Sequence, residues 1–303
     1  MSEILLHQYF KNWMQLYKKG SVRAVTYQKY LNTQRQLQAL APKLTLSRLT
    51  RVTYQQLLNR YAETHERQTV LDFHHIVKGA IWDAKDEGLV SGNPVRKAVI
   101  KGKQPRQKHA KFLNQDELLK LLSVLTLTDV ISWDWFIYLI SKTGLRFAEA
   151  LALCPSDFDF EQNLLKINKT WNYKEKVGSF QPTKNLSSNR VIKLDNQTTM
   201  QFQKLTKNLD KQAPIFVTGR VFNILINQHL YKLCKKAEIT EISLHGLRHT
   251  HASLLLYAGI SIASVARRLG HSNMTTTQEV YLHIIKELEV KDETLITSFL
   301  GEL

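Results

Sequence analysis

The chain has 303 residues, 43% of them hydrophobic, and its 42 Lys and Arg against 26 Asp and Glu give a formal net charge of +16. That length accommodates two domains, and the apolar share excludes a disordered chain. The apolar runs break well short of the roughly 18 residues a membrane span needs, and no basic-then-apolar signal segment opens the chain, so a cytoplasmic location without membrane partners is expected. The charge is uneven: residues 1–111 hold 20 Lys and Arg against 7 Asp and Glu, and residues 112–303 hold 22 against 19. A strongly basic front part points to a polyanion such as nucleic acid, the alternative being a protein that is merely basic. Cys154 and Cys234 stand apart from any CxxC spacing and read as buried free thiols.

In the first part, Leu6, Tyr9, Phe10, Trp13, Leu16 and Tyr17 share one face of a helix over residues 4–17, which Gly20 and Ser21 end. A second helix over 22–40 is expected to bury Val25, Tyr30, Leu37 and Leu40 and to expose Arg23, Lys29, Asn32, Thr33 and Arg35. Pro42 breaks it. A third helix over 53–62 follows the packing anchors Leu46 and Leu49. A fourth over 69–86 carries Val70, Phe73, Val77, Ile81 and Ala84 and stops at Gly88 and the Asn93-Pro94 pair. The expectation for residues 1–95 is a helical bundle with basic polar faces. Residues 96–111 contain Arg96, Lys97, Lys101, Lys103, Arg106, Lys108 and Lys111 and no acid, with Gly102 and Pro105 opposing a helix. They read as a basic interdomain linker that lies along phosphates, or as a solvated tether.

A second domain is expected over 112–303. Asn114 with Glu117 forms a helix-capping pair, and an apolar helix over 133–141 ends near Gly144. Arg146 and Glu149 lie three apart on the next helix, where a structural ion pair is the simplest reading. Segments 164–169, 180–184 and 190–194 read as strands, and the polar turn 185–189 puts Lys184 at the lip of a hairpin between the last two. A helix over 221–236 is expected to bury Phe222, Leu225, Ile226, Leu230 and Leu233. Two more span 250–257 and 261–269, closed by Gly259 and Gly270, and a tail over 284–303 has helical spacing. His245 and His249 have the i, i+4 spacing of a helical zinc pair, but Gly246 stands where the usual Glu would. No glycine-rich phosphate loop occurs, so no nucleotide cofactor is expected.

Four segments then match a family in order and spacing. They are T-G-L-R-F-A-E at 143–149, P-T-K-N-L-S-S-N-R at 182–190, H-G-L-R-H-T-H-A-S at 245–253 and L-G-H-S-N-M-T-T-T-Q-E-V-Y-L-H at 269–283. The chain resembles the tyrosine recombinases, the integrase class carried by temperate phages and mobile elements. The resemblance extends to the N-terminal bundle with its closing Asn93-Pro94, and so covers nearly the whole chain. It implies a mainly α fold with a small β-sheet: a SAM-like core-binding bundle over 1–95, a linker over 96–111, and an α+β catalytic domain over 112–303 that closes with the bundle as a clamp around DNA.

The resemblance also implies the chemistry. The catalytic set falls on Arg146, Lys184, His245, Arg248, His271 and Tyr281, with Glu149 orienting Arg146. Tyr281 would attack a phosphodiester, forming a 3′-phosphotyrosine and releasing a 5′-hydroxyl. Arg146 and Arg248 suit the non-bridging oxygens, His271 and His245 add donors or shuttle protons, and Lys184 protonates the leaving oxygen. Arg23, Lys29, Arg35, Arg96, Lys97, Lys101, Lys103, Arg106 and Lys108 would bind DNA. The implied partners are double-stranded DNA attachment sites, a homotetramer joined by tail docking, and accessory DNA-bending proteins, with no cofactor or metal. Integration and excision of an element is the expected function. The alternatives are a Xer-like chromosome-dimer-resolving recombinase, a type IB topoisomerase and a non-catalytic DNA-binding regulator. The first packed helix at Ile4 leaves no room for the arm-site-binding domain of many phage integrases, so a simpler architecture or a trimmed chain is expected. Phe147 stands where a smaller residue is common.

Overall fold

The computed structural model describes residues 3–104, 112–275, 277, 278, 281 and 300. The chain divides into two units, Met1–Lys108 and His109–Leu303. The first holds α1 (Leu6–Tyr17), α2 (Ala24–Leu40), α3 (Arg51–Ala62) and α4 (Arg67–Asp86). Phe10, Trp13, Leu37, Tyr54, Phe73 and Val77 are among its buried core. Two core aromatics carry satisfied polar ends: Trp13 Nε1 donates to Asp83 Oδ2 at 2.5 Å, and Tyr9 to Glu87 Oε2 at 3.0 Å.

Three expectations on these helices fail locally. The buried stripe of α1 runs through Leu6, Tyr9, Phe10, Trp13 and Met14, so Leu16 and Tyr17 lie off it and are exposed. On α2 only Thr33 and Leu37, one turn apart, are fully buried, so Thr33 faces inward and Val25 faces out. α3 begins earlier than expected because Thr50 and Thr53 form a reciprocal cap.

Residues 96–104 pack against the bundle. The Gln55 side chain exchanges hydrogen bonds of 2.9 and 2.8 Å with the Val99 backbone, and Lys103 N donates to His65 O at 2.8 Å. Gly102 permits this, since a Cβ there would stand 2.3 Å from Arg67 N. The remainder of the expected linker, with Arg106 and Lys108, lies outside the described residues, as does nearly all of the tail 284–303.

The second unit contains α5 (Gln115–Ser123), α6 (Trp133–Thr143), α7 (Phe147–Leu151), β1 (Phe158–Asp159), β2 (Leu164–Ile167), β3 (Lys169–Trp171), β4 (Phe180–Pro182), β5 (Arg190–Lys193), α8 (Asn196–Thr206), α9 (Asn223–Lys236), α10 (Leu244–Tyr257) and α11 (Ile262–Leu269). The fold is thus mainly α with a small β component. Nearly every residue of α6 is buried, which explains why it is apolar on almost every side. Phe136 on α6 meets the rings of Trp133, Phe147 and Phe216 edge-on at centroid distances of 5.6, 5.6 and 5.1 Å, so Phe147 is a core-packing residue. Cys154 and Cys234 are buried free thiols. No helix of the described residues is long and apolar enough to cross a membrane.

The β structure corrects the expected hairpin. Segment 164–169 splits at Asn168 into β2 and β3, which enter different sheets. β4 pairs antiparallel with β3, in register Trp171 to Phe180, while β5 pairs with β2, in register Ile167 to Arg190. β1 completes the sheet β1-β2-β5. Pro182, without an N–H, ends β4, and residues 186–188 make a 3-10 turn. Lys184 is therefore an exposed residue on the segment joining the two sheets, not the lip of a β4–β5 hairpin.

Among the helices, α8 was not anticipated; its cap is Asp195, which accepts from Thr198 N at 2.9 Å. Phe222 and Leu225, expected inward on the α9 segment, are exposed. α10 begins at Leu244 rather than near 250, because Ser243 caps it by accepting from Gly246 N at 3.2 Å. His245, Arg248 and His249 consequently share one rigid helix.

Phe136→Ala should destabilise the chain by about 3–5 kcal/mol, because it leaves a cavity among three rings. Urea unfolding of the two proteins measures this, with the loss appearing in the midpoint.

Candidate active site

Three consecutive carbonyls at the end of α11 accept hydrogen bonds from three different arginines. Arg190 Nε reaches Arg268 O at 2.7 Å, Arg248 Nη2 reaches Leu269 O at 2.7 Å, and Arg146 Nη2 reaches Gly270 O at 3.0 Å. The last carbonyls of a helix have no intrahelical partner and form the negative end of its dipole, so they suit cations. Gly270 closes α11 at φ +67°, and a Cβ there would stand 2.7 Å from Arg190 Nη1. Arg248 also donates through Nη1 to Gly144 O, the C-cap of α6, at 2.7 Å. Gly144 itself has φ +66°, and a Cβ there would meet His251 Cδ2 at 2.7 Å.

Glu149 is the counter-charge. It is 2% exposed; Oε1 accepts from Arg146 Nη1 at 2.7 Å and Oε2 from Arg190 Nη2 at 2.9 Å. Oε2 also takes the Arg146 backbone N–H at 3.1 Å, so Arg146 is the N-cap of α7 rather than a residue within it. Burial acts to raise the Glu149 pKa, but Arg190 and Arg146 outweigh it and hold the carboxyl below its ordinary value. The Arg146 side chain keeps 35% exposure. Arg248 is 3% exposed, and burial followed by repulsion from Arg146 pushes it down to about 9, still cationic at neutral pH.

Tyr281 is 2% exposed and packs with Ala252, Leu256, Val265 and Leu269. Its hydroxyl lies 2.8 Å from His249 Nδ1. Burial raises its pKa to about 12, with Arg248 opposing the rise. The His245 ring stands edge-on to His249 at 4.6 Å. Although His245 reaches solvent, the protein around its ring lowers its pKa, and Arg248 and Arg146 add to the effect. His271 pairs through Nδ1 with Thr277 Oγ1 at 2.7 Å, and burial, then Arg248, Arg146 and Arg190, lowers it to about 4. His251 is a structural neighbour: Nδ1 pairs with Ser141 O at 3.0 Å and Nε2 accepts from Arg268 Nε at 2.9 Å.

The structure thus brings together Arg146, Glu149, His245, Arg248, His271 and Tyr281. Lys184 is exposed, on the segment after β4. Among the described residues no group of three or more His, Cys, Asp or Glu side chains that could hold a metal ion occurs. Arg190 and His249 were missed as site residues. Arg190 ends the P-T-K-N-L-S-S-N-R run, and a charged residue opening an otherwise half-buried strand was the available signal. In the first unit Arg23, Lys29, Arg35, Arg96, Lys97, Lys101 and Lys103 are exposed. Lys29 and Arg35 line a groove of about 480 Å³ with Asn32, Gln36, His65 and Asp72.

A family model described as the phage integrase family matches residues 111–287. An integrase of Staphylococcus phage L54a is 30% identical over 175 residues, 51% of this chain and 49% of that protein. A tyrosine recombinase XerC of Oceanobacillus iheyensis is 28% identical over 247 residues, 77% of this chain and 73% of that protein. The chain spans about half the length of several curated relatives that it matches. The solved structure of the Tn1549 transposon integrase in complex with a circular intermediate DNA superposes with a TM-score of 0.75 at 18% identity, over 91% of this chain and 94% of that one. At that identity the likeness is one of fold.

Glu149→Gln should destabilise the chain by about 3 kcal/mol, because two arginines lose their buried counter-charge. The depressed carboxyl pKa means its contribution is present above the unfolded value near 4.5 and is lost as pH falls through the lower folded value. Below about pH 4 the difference between wild type and variant should therefore shrink, as thermal unfolding across a pH series would record.

Proposed function

The chain belongs to the phage integrase family, and on that footing we propose that it is a site-specific DNA recombinase that breaks and rejoins duplex DNA through a tyrosine–phosphate bond. The observation that carries this reading is the Tyr281 hydroxyl, held beside Arg248 in a cluster that also contains Arg146, His245 and His271. A buried phenol needs no such gathering of guanidinium groups and imidazoles. A phosphodiester attacked by that phenol does.

In the proposed reaction Tyr281 Oη bonds to phosphorus and the 5′-oxygen departs, leaving a 3′-phosphotyrosine. Charge accumulates on the non-bridging oxygens. Arg248 commits two of its five N–H donors to carbonyls, and Arg146 keeps a solvent-facing edge, so both have donors for those oxygens. His245 and His271 add donors. Lys184, on its exposed segment, reaches the leaving 5′-oxygen as general acid. Rejoining reverses these steps, and the phosphotyrosine conserves the energy of the broken bond, so no nucleotide is consumed.

Double-stranded attachment sites are the proposed substrates, and the complex of the fold neighbour with a circular intermediate DNA supports a DNA partner. The exposed basic residues of the first unit are proposed to track phosphates. A homotetramer joined through the tail 284–303, accessory DNA-bending proteins and a cytoplasmic location on DNA complete the reading. Integration and excision of a mobile element is the preferred role. The XerC relative, which matches 77% of the chain, favours chromosome-dimer resolution as the second reading. Recombination between two copies of one site would support that role, and a need for two unlike sites would support integration.

A nicked half-site DNA should trap a covalent adduct in EDTA, and Tyr281→Phe should form none on a denaturing gel; an adduct with the variant would overturn the assignment. Replacing Lys29, Arg35 and Arg96 by Gln should weaken binding at every sequence. The log–log salt slope should fall by about 0.9 for each phosphate contact removed, as binding titrations over a salt series would show.

A further inference from the structure

The Tyr281 hydroxyl has one hydrogen-bond partner among the described residues, Nδ1 of His249 at 2.8 Å. We infer that His249 is the proton acceptor for the Tyr281 phenol in strand cleavage, an inference that deepens the recombinase reading and rests on it.

The distance is one at which a proton can pass directly. Both partners are held in place. His249 lies in the middle of α10, with the His245 ring 4.6 Å away. The Tyr281 ring meets the His249 ring at 61° with centroids 5.7 Å apart, so the imidazole edge faces the phenol. The other candidates are placed differently. His271 Nδ1 is engaged by Thr277. His245 packs on His249 instead of bonding to Tyr281. His251 is held by Ser141 and Arg268. Arg248 can only donate.

The ring proton of His249 sits on Nε2, and Nδ1 offers its lone pair. As the Oη–P bond forms, the phenol proton moves to Nδ1 and the ring becomes an imidazolium. The P–O5′ bond breaks, and its oxygen takes a proton from Lys184. In rejoining, the 5′-hydroxyl attacks and gives its proton back to Lys184, P–Oη breaks, and Nδ1–H returns its proton to Tyr281.

Charged and titratable groups near His249 include Arg248 and His245 on α10, His271 after α11, and Tyr281. Of these groups Arg248 is cationic before DNA arrives. The scissile phosphate brings one negative charge among the arginines, and the phosphorane adds another. Opposite charge favours the protonated imidazole. Tyr281, raised to about 12 by burial, stays a protonated phenol until substrate is in place.

The test is single-turnover adduct formation by the whole chain on a nicked half-site, from about pH 6 to 9. In His249→Asn the amide keeps a hydrogen bond near the place of Nδ1 but cannot take the proton. Its rate per bound complex should be about 100-fold below wild type at pH 7 and should climb steeply with pH as hydroxide replaces the imidazole. A sulfur in place of the bridging 5′-oxygen leaves without a proton. That substrate should rescue Lys184→Ala and leave His249→Asn slow. Should His249→Asn fold poorly, His249→Ala with added imidazole serves instead, and its rate should rise with imidazole concentration. A wild-type rate and pH profile in His249→Asn, its rescue by sulfur, or no response of His249→Ala to imidazole would each overturn the inference. If wild type forms no adduct at all, the recombinase reading falls and takes this inference with it. A wild-type adduct with an unaffected His249→Asn overturns the inference alone.

Discussion

The end of α11 is the constraint on which the second unit depends. A helix terminus leaves carbonyls without partners, and here Arg190, Arg248 and Arg146 take those of Arg268, Leu269 and Gly270 in succession. These arginines come from a strand, a helix and a helix cap far apart in the chain. One short stretch of backbone therefore sets the distances between them. Glu149 ties two of the three together from the other side, and Gly270 admits Arg190 only because it has no Cβ.

Holding cations this way has an energetic logic. Burying a guanidinium is expensive unless acceptors replace water, and backbone carbonyls do so without neutralising it. Arg248 thus stays cationic, ordered and nearly closed to solvent before any substrate arrives. Donors fixed in advance need not reorganise as charge develops on a reacting phosphate, which is the usual source of large electrostatic rate effects. The same surroundings leave Tyr281 a reluctant acid, raised to about 12 by burial. In the reading proposed here the site is poised by its cations and held back by its nucleophile, and an arriving phosphate relieves both conditions.

Much of the helical framework was legible from residue spacing. Val70, Phe73, Val77, Ile81 and Ala84 form the buried face of α4 as their period predicts, and Asn114 with Glu117 caps α5. Local signals misled where they were incomplete. Leu16 is apolar but off the stripe; Thr33 is polar but on it. Segment 164–169 reads as one strand by composition, yet its split at Asn168 and the pairing of β2 with β5 arise from contacts between residues distant in sequence. The docking of residues 96–104 depends on Gln55 and Gly102 meeting partners that their own neighbourhood does not reveal.

The sequence by itself determined the kinds of residue at the site and their order: two arginines, the histidines and a tyrosine in motifs specific enough to identify a family. Residue type and spacing suffice for that because the chemistry demands particular functional groups on particular elements. Only the tertiary structure decided which groups touch. It assigned Arg190 to Glu149, set three arginines on three adjacent carbonyls, and put His249, which spacing offered as half of a helical zinc pair, against the Tyr281 hydroxyl. Such contacts follow from where α6, α10, α11 and β5 meet, and the meeting of distant elements is a property of the packed core that no local pattern encodes.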